Sequence, residues 1–246
     1  MGTPVDFLDS YNTTFRELIN EKNWSSKLSI KETLKLSKES DWNFLCTAMD
    51  IICDSSMAIS NFIKYGVDGP TKYNDKGESY LRLYGLLSAT YLQQNAVMNI
   101  YRILSIRGFK EFKDNIKKLK IREIRNKLAS HSNDFQTNFG KECYLPLRMT
   151  LYGHTCEYIN NKTNELDKVD LIAEIYNSAN LLMDAFESLL EASIERLYKT
   201  NKSREKWKEA LNELRLKRKG AIIITGPNLK IVMNLMEPEH SSTNQE

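Results

Sequence analysis

The chain predicts a mainly α fold, an antiparallel helical bundle of long helices with a small accessory β-hairpin or sheet. Apolar residues recur at three- and four-residue spacing through most of residues 30–200, which is the signature of helices that bury one face. Gly66, Gly69, Pro70 and Gly108 fall between those runs and punctuate them. Strand-like alternation is confined to residues 143–159 and 221–233. At 246 residues the chain reads as one domain with appendages. Residues 1–220 form the helical domain, with a β-hairpin inserted near 143–160, and 221–246 add a strand-like segment and a flexible tail.

The first helix is expected over residues 5–19, contacting the core through Phe7, Leu8, Phe15 and Leu18, before a polar break at 21–26. In 30–65 the set Leu45, Met49, Ile52, Ile59, Phe62 and Ile63 marks a buried face, and Ser40 or Asp41 is placed to cap a second helix. Asp75 with Glu78 three residues on resembles a capping box opening a long helix over 78–107, whose face is Tyr84, Leu87, Tyr91, Met98 and Tyr101. Gln93, Gln94 and Asn95 interrupt it, and at least one must approach the apolar side. There it needs hydrogen-bond partners or faces a ligand.

Residues 109–131 resume the helical pattern with a basic run, and a polar loop follows to Gly140. Segments 143–151 and 155–159 form a hairpin turning at Gly153. A long helix spans 166–198 on the stripe Leu171, Ile175, Leu182, Phe186, Leu189, Leu190 and Ile194. A shorter one over 203–219 buries Trp207, Leu211 and Leu214 and ends in Arg215, Lys217, Arg218 and Lys219, where cations suit the helix dipole. The strands around Gly226-Pro227 join the 143–159 hairpin in one small sheet.

Composition narrows the chemistry. The net charge of +3 is small, so any nucleic-acid affinity rests on local clustering. No run approaches the ~20 apolar residues of a membrane helix and the start lacks a secretory signal, which points to a cytoplasmic protein away from membranes. There is no glycine-rich phosphate loop, HExxH or GxSxG motif, and no cofactor is expected. Cys143, His154 and Cys156 suggest zinc but lack a fourth ligand, so no metal site is assigned.

The stretch that carries chemistry is IREIRNKLASHS, residues 121–132. Arg125 and His131 enclose five residues at a helix end: a guanidinium grips phosphate oxygens in a planar fork, and an imidazole moves protons near neutral pH. Arg148 and His154 repeat the spacing, but Arg148 follows Pro146 and precedes Gly153 in an alternating segment that reads as a strand. Leu119, Ile121, Ile124 and Leu128 form one stripe, so Arg122 and Arg125 flank a buried face. Along an intact α-helix Arg125 and His131 lie ~9 Å apart and roughly 120° around the axis. They meet only if the helix unwinds near Ser130, or if a second subunit supplies its own pair across a two-fold axis.

Arg125-Asn126 with His131 five residues on, in a helical chain, resembles the arginine, polar residue, four-to-six-residue spacer and histidine motif of the HEPN superfamily. The resemblance implies a metal-independent endoribonuclease that works as a homodimer, in the manner of a toxin or defence protein, with an inhibitory protein as a further partner. Arg125, Asn126 and His131 would be catalytic. Some toxins of that family carry a tyrosine two residues after the histidine, where nucleotides are attached; here that residue is Asn133. RNA contacts are expected from Arg122, Lys118, Lys120 and Lys127. Two other readings stand beside this one: a non-catalytic helical dimer binding RNA, a nucleotide or a protein, and an interaction module that pairs through the edges of the 221–233 strands.

Overall fold

A computed structural model describes residues 2–71, 75–226 and 229–234. Helix α1 (Pro4–Trp24) opens with a capping box in which the Thr3 hydroxyl accepts from the Asp6 amide and Asp6 accepts from the Thr3 amide. Val5, Leu8, Tyr11, Phe15, Leu18 and Ile19 keep one face buried over about four turns. The helix runs on into the expected break at 21–26 as far as Trp24, where Glu21 meets Lys206 and Trp207 and Lys22 lies over the Tyr198 ring. A short helix, α2 (Ile30–Leu34), turns left-handed at Lys35 and leads to α3 (Asp41–Tyr65), preceded by Ser40, which makes no side-chain cap bond. Helix α4 (Lys76–Ile103) is capped one way only: Asp75 accepts from the Gly77 and Glu78 amides, while the Glu78 carboxylate accepts from Thr71.

The expected single helix over 109–131 is instead three pieces. Helix α5 (Phe109–Lys118) ends where Leu119 turns extended, α6 (Lys120–Arg125) restarts, and Asn126–Ser130 widens into a π turn. Ile116, Ile121 and Ile124 are all buried, and the kink at Leu119 lets both helices face the core.

The β structure is larger than a hairpin insertion. Strand β1 (Phe135–Thr137), inside the expected polar loop, pairs with β2 (Gly140–Glu142), which starts where that loop was expected to end. Strands β3 (Tyr144–Pro146), β4 (Thr155–Asn160) and β5 (Leu166–Asp170) form an antiparallel sheet in that order. Residues 166–170, read as the start of a helix, are therefore a strand, and α7 (Leu171–Leu197) begins at the Asp170 cap. Alternating burial across Leu166–Asp170 accounts for the strand: Val169 is buried between exposed Lys168 and Asp170. Arg148 lies in the turn after β3 rather than in a strand. After α8 (Asn201–Arg218), strands β6 (Ala221–Gly226) and β7 (Leu229–Asn234) pair with each other and, among the described residues, with no strand of the other sheet. Ile222, Ile231, Val232 and Met233 are exposed on this ribbon, so the apolar character that suggested a shared sheet does not mark a face buried against one. The tail from residue 237 lies outside the described residues.

Helix α3 runs antiparallel to α1 and α4: Asp9 faces Cys53 while Asn12 meets Met49, and Arg82 meets Asn61 while Gln93 meets Ser56. Helix α7 runs in the same sense as α4, since Gln94 meets Ser178 and Tyr101 meets the Ala185 carbonyl. The long excursion through α5, α6 and the sheet makes that parallel return possible. Helix α8 then packs antiparallel on α7, with Arg215 and Arg218 paired to Glu187, Glu191 and Asp184.

Burial pushes the Glu187 carboxyl up, but hydrogen bonds from Arg215, Tyr11 and Arg218 outweigh it and hold the group below its ordinary range. A carboxyl depressed in the folded state adds stability above its unfolded value, near ~4.3, and that stability is lost as pH falls through the lower folded value. Stability should therefore decline on acidification below about pH 4–5. Glu187→Gln should flatten that acid limb in urea titrations run at stepwise pH; an unaltered limb would show that other carboxyls set it.

The bundle core is divided. One apolar cluster joins α1, α2, α5 and α8 to the first half of α3 and the second halves of α4 and α7. Another joins the remaining halves of α3, α4 and α7 to α6 and the sheet. Between them lies a buried polar layer: Ser55 and Ser56 on α3, Thr90, Gln93 and Gln94 on α4, and Ser178 on α7. Both glutamines are satisfied there, Gln93 donating to Ser56 and Gln94 to Ser178, each at 3.0 Å.

Candidate functional site

The polar layer opens onto α6. Arg122 donates to the Gln94 amide oxygen at 3.0 Å and to Asn95 at 3.2 Å, and its guanidinium carbon lies 4.5 Å from the centre of the Tyr91 ring. Arg125, one turn on, sits over the same ring at 3.9 Å and donates to its neighbour Asn126 at 3.0 Å. Tyr91, expected to be core, is the half-buried floor beneath two cations. Among the described residues neither guanidinium meets a carboxylate, in contrast to Arg215 and Arg218 on α8. Burial draws Arg122 below the usual arginine range; the Tyr91 phenol opposes this and the Arg125 charge adds to it.

The π turn governs His131. Its amide donates to the Asn126 carbonyl at 2.8 Å, closing a loop one residue wider than an α turn. The helix thus neither unwinds near Ser130 nor stays α: His131 is stacked a wide turn above Asn126, and its own backbone leaves the helix at φ −128°. The His131 side chain is 55% exposed, with Nδ1 3.4 Å from the Asp134 carboxylate. Asp134 was not singled out by sequence, although a carboxylate three residues beyond the histidine is within reach of the imidazole of a tight turn.

The expected RNA-contacting lysines fall into two groups. Lys118 is exposed at the end of α5. Lys120 bonds Asp167 on β5 at 3.0 Å and Glu123 at 3.6 Å, and burial, which lowers its affinity for a proton, is outweighed by these partners. Lys127 pairs with Glu123 at 2.6 Å, only 13% of its side chain is exposed, and the rings of Phe135, Tyr144 and Tyr158 enclose its ammonium. Lys120 and Lys127 thus fasten α6 and the π turn to the sheet. Lys127→Ala should lower stability by roughly 2 kcal/mol, from the lost ion pair and ring contacts, as measured by urea unfolding. A change within a few tenths of a kcal/mol would mean the cage contributes nothing.

The second arginine–histidine spacing has a structural explanation. His154 donates from Nε2 to the Ile63 carbonyl at 2.9 Å and packs edge-on against Phe62, while Arg148 is exposed. The Cys156 thiol is buried in the core, which pushes it up to about 12. No cluster of three or more metal-binding side chains occurs among the described residues, and no described helix is long and apolar enough to cross a membrane. The chain matches no family model, no curated protein and no solved structure.

Proposed function

We propose that the protein is a metal-independent endoribonuclease of the HEPN type acting on cytoplasmic RNA. The observation that carries this reading is the pair of guanidiniums free of carboxylates beside an exposed histidine, both fixed by α6 and its π turn. An unneutralised arginine pair is a receptacle for phosphate oxygens. In the proposed reaction the His131 imidazole takes the proton of a ribose 2′-OH, whose oxygen bonds to phosphorus. The phosphorus–O5′ bond breaks, and the leaving oxygen takes up a proton. The products are a 2′,3′-cyclic phosphate and a 5′-hydroxyl, and Arg125 with Arg122 stabilises the charge building on the phosphate. Asp134 orients the imidazole, and Asn126 orients Arg125.

Two copies of the site face each other in the proposed homodimer. Helix α4, which carries Tyr91 and Asn95, leaves Leu81, Tyr84, Ser88 and Leu92 exposed in one stripe, an apolar surface suited to a second copy. The test is incubation of the protein with mixed RNA in excess EDTA, followed by analysis of the ends. Cyclic-phosphate termini from the wild type support the reading, and intact RNA sinks it.

The non-catalytic alternative draws on the Asp134 contact, which satisfies His131 without any substrate. Under it, the same arginine pair holds RNA and no cleavage follows.

A further inference from the structure

We propose that Tyr91 is a positioning residue for this site, and that Arg122 and Arg125 receive one phosphate group as a pair above its ring. The inference rests on the nuclease reading for the identity of the substrate as RNA, while its anion chemistry stands on the geometry alone. Arg122 and Arg125 are three residues apart on α6, so their like charges face each other across one turn. Such a pair is ordinarily closed by carboxylates, as on α8, where Arg215 and Arg218 grip Glu187, Glu191 and Asp184. Here an aromatic face does that work: both guanidinium carbons lie within 4.5 Å of one ring centre. A ring quadrupole attracts cations without neutralising them, so the pair keeps its charge for an incoming anion.

The partners of Tyr91 point the same way. A hydrogen bond from Asn95 draws the phenol below its ordinary value; burial opposes this, and the Arg122 and Arg125 charges reinforce it. Asn95 also accepts from Arg122, and Gln94, fully buried, accepts from the other nitrogen of that fork. Arg122 is therefore held by neutral amides, and Arg125 by one neutral amide of its neighbour. A guanidinium has five N–H donors, so both retain donors beyond these bonds. A phosphate with several acceptor oxygens satisfies them together.

The experiment is calorimetric titration of the full chain with pyrophosphate and with a mixed-sequence oligonucleotide carrying 2′-deoxyribose, which cannot be cleaved by 2′-OH attack. Tyr91→Phe keeps the ring and should bind within about twofold of wild type, whereas Tyr91→Leu should weaken binding roughly tenfold. In cleavage assays Tyr91→Leu should raise KM more than it lowers kcat. Asn95→Asp, which sets a carboxylate beside Arg122 and keeps the aromatic face beneath both guanidiniums while exchanging the amide that donates to the Tyr91 phenol for an acceptor, should also weaken binding roughly tenfold. This variant keeps the paired-guanidinium claim testable should Tyr91→Leu lose its helical circular dichroism.

Unchanged affinity in Tyr91→Leu, or equal losses in the Phe and Leu variants, overturns the positioning role. Unchanged affinity in Asn95→Asp overturns the pairing, as does wild-type protein that binds neither probe. Wild-type protein that binds both probes, with the variants weakened as expected, but leaves RNA intact upholds this inference and removes the nuclease.

Discussion

His131→Ala should lower the rate of RNA cleavage by about 10²- to 10⁴-fold while leaving affinity for a non-cleavable oligonucleotide within about twofold, the range for a positioned acid–base group. The imidazole projects from an exposed turn, and its only described partner is Asp134, so its removal leaves no buried group unpaired. The fold should survive unaltered, which makes the comparison clean. Single-turnover cleavage at saturating enzyme, beside binding measured on the 2′-deoxy strand, separates the two quantities. Equal cleavage by wild type and variant would remove His131 from the chemistry.

Deleting Ala129 should have an effect of the same size by another route. A π turn holds one residue more than an α turn, and Ala129 is exposed on it. Without that residue the His131 amide is placed to close an ordinary α turn, and the imidazole swings by about 100° and moves ~1.5 Å along the axis, away from its present position above Asn126. Lys127 and Leu128 precede the deletion, so the contacts of Lys127 with Glu123 and the aromatic rings persist. Cleavage should fall about 10²- to 10⁴-fold with the melting temperature held or raised. A deletion variant that cuts RNA at the wild-type rate would show that the wide turn has no part in placing the histidine.

The helices were legible wherever one face stayed apolar over many turns, as in α3, α4 and α7. Boundaries failed where local signals were weak against tertiary demand. The polar residues 21–26 look like a break, yet α1 continues to Trp24, where partners distant in sequence, Lys206 and Trp207 for Glu21 and the Tyr198 ring for Lys22, engage its polar last turn. Residues 166–170 merge into the α7 periodicity, and only their pairing with β4 reveals a strand. The kink at Leu119 has no glycine or proline to announce it.

At the site, sequence brought forward Arg125, Asn126 and His131 together with Arg122, and the fold places all four on α6 and its π turn. It also raised the question that Gln94 and Asn95 answer, namely what buried amides in mid-helix bind. Tyr91 was hidden because its spacing is that of any core tyrosine, and only the arrival of α6 reveals what covers it. Lys120 and Lys127 look like solvated cations in a basic run, but the sheet and Glu123 claim both, and nothing local in the sequence foretells a partner as distant as Asp167.

The buried chain from Ser178 through Gln94 to Arg122 has a genetic corollary. Ser178 is sealed inside the bundle on a helix remote in sequence from the motif, yet without its hydroxyl the Gln94 amide loses its acceptor and the fork that steadies Arg122 loosens. Variants selected for inactivity should therefore include α7 interior positions that touch no nucleic acid, and revertants of such variants should arise across the core on α4.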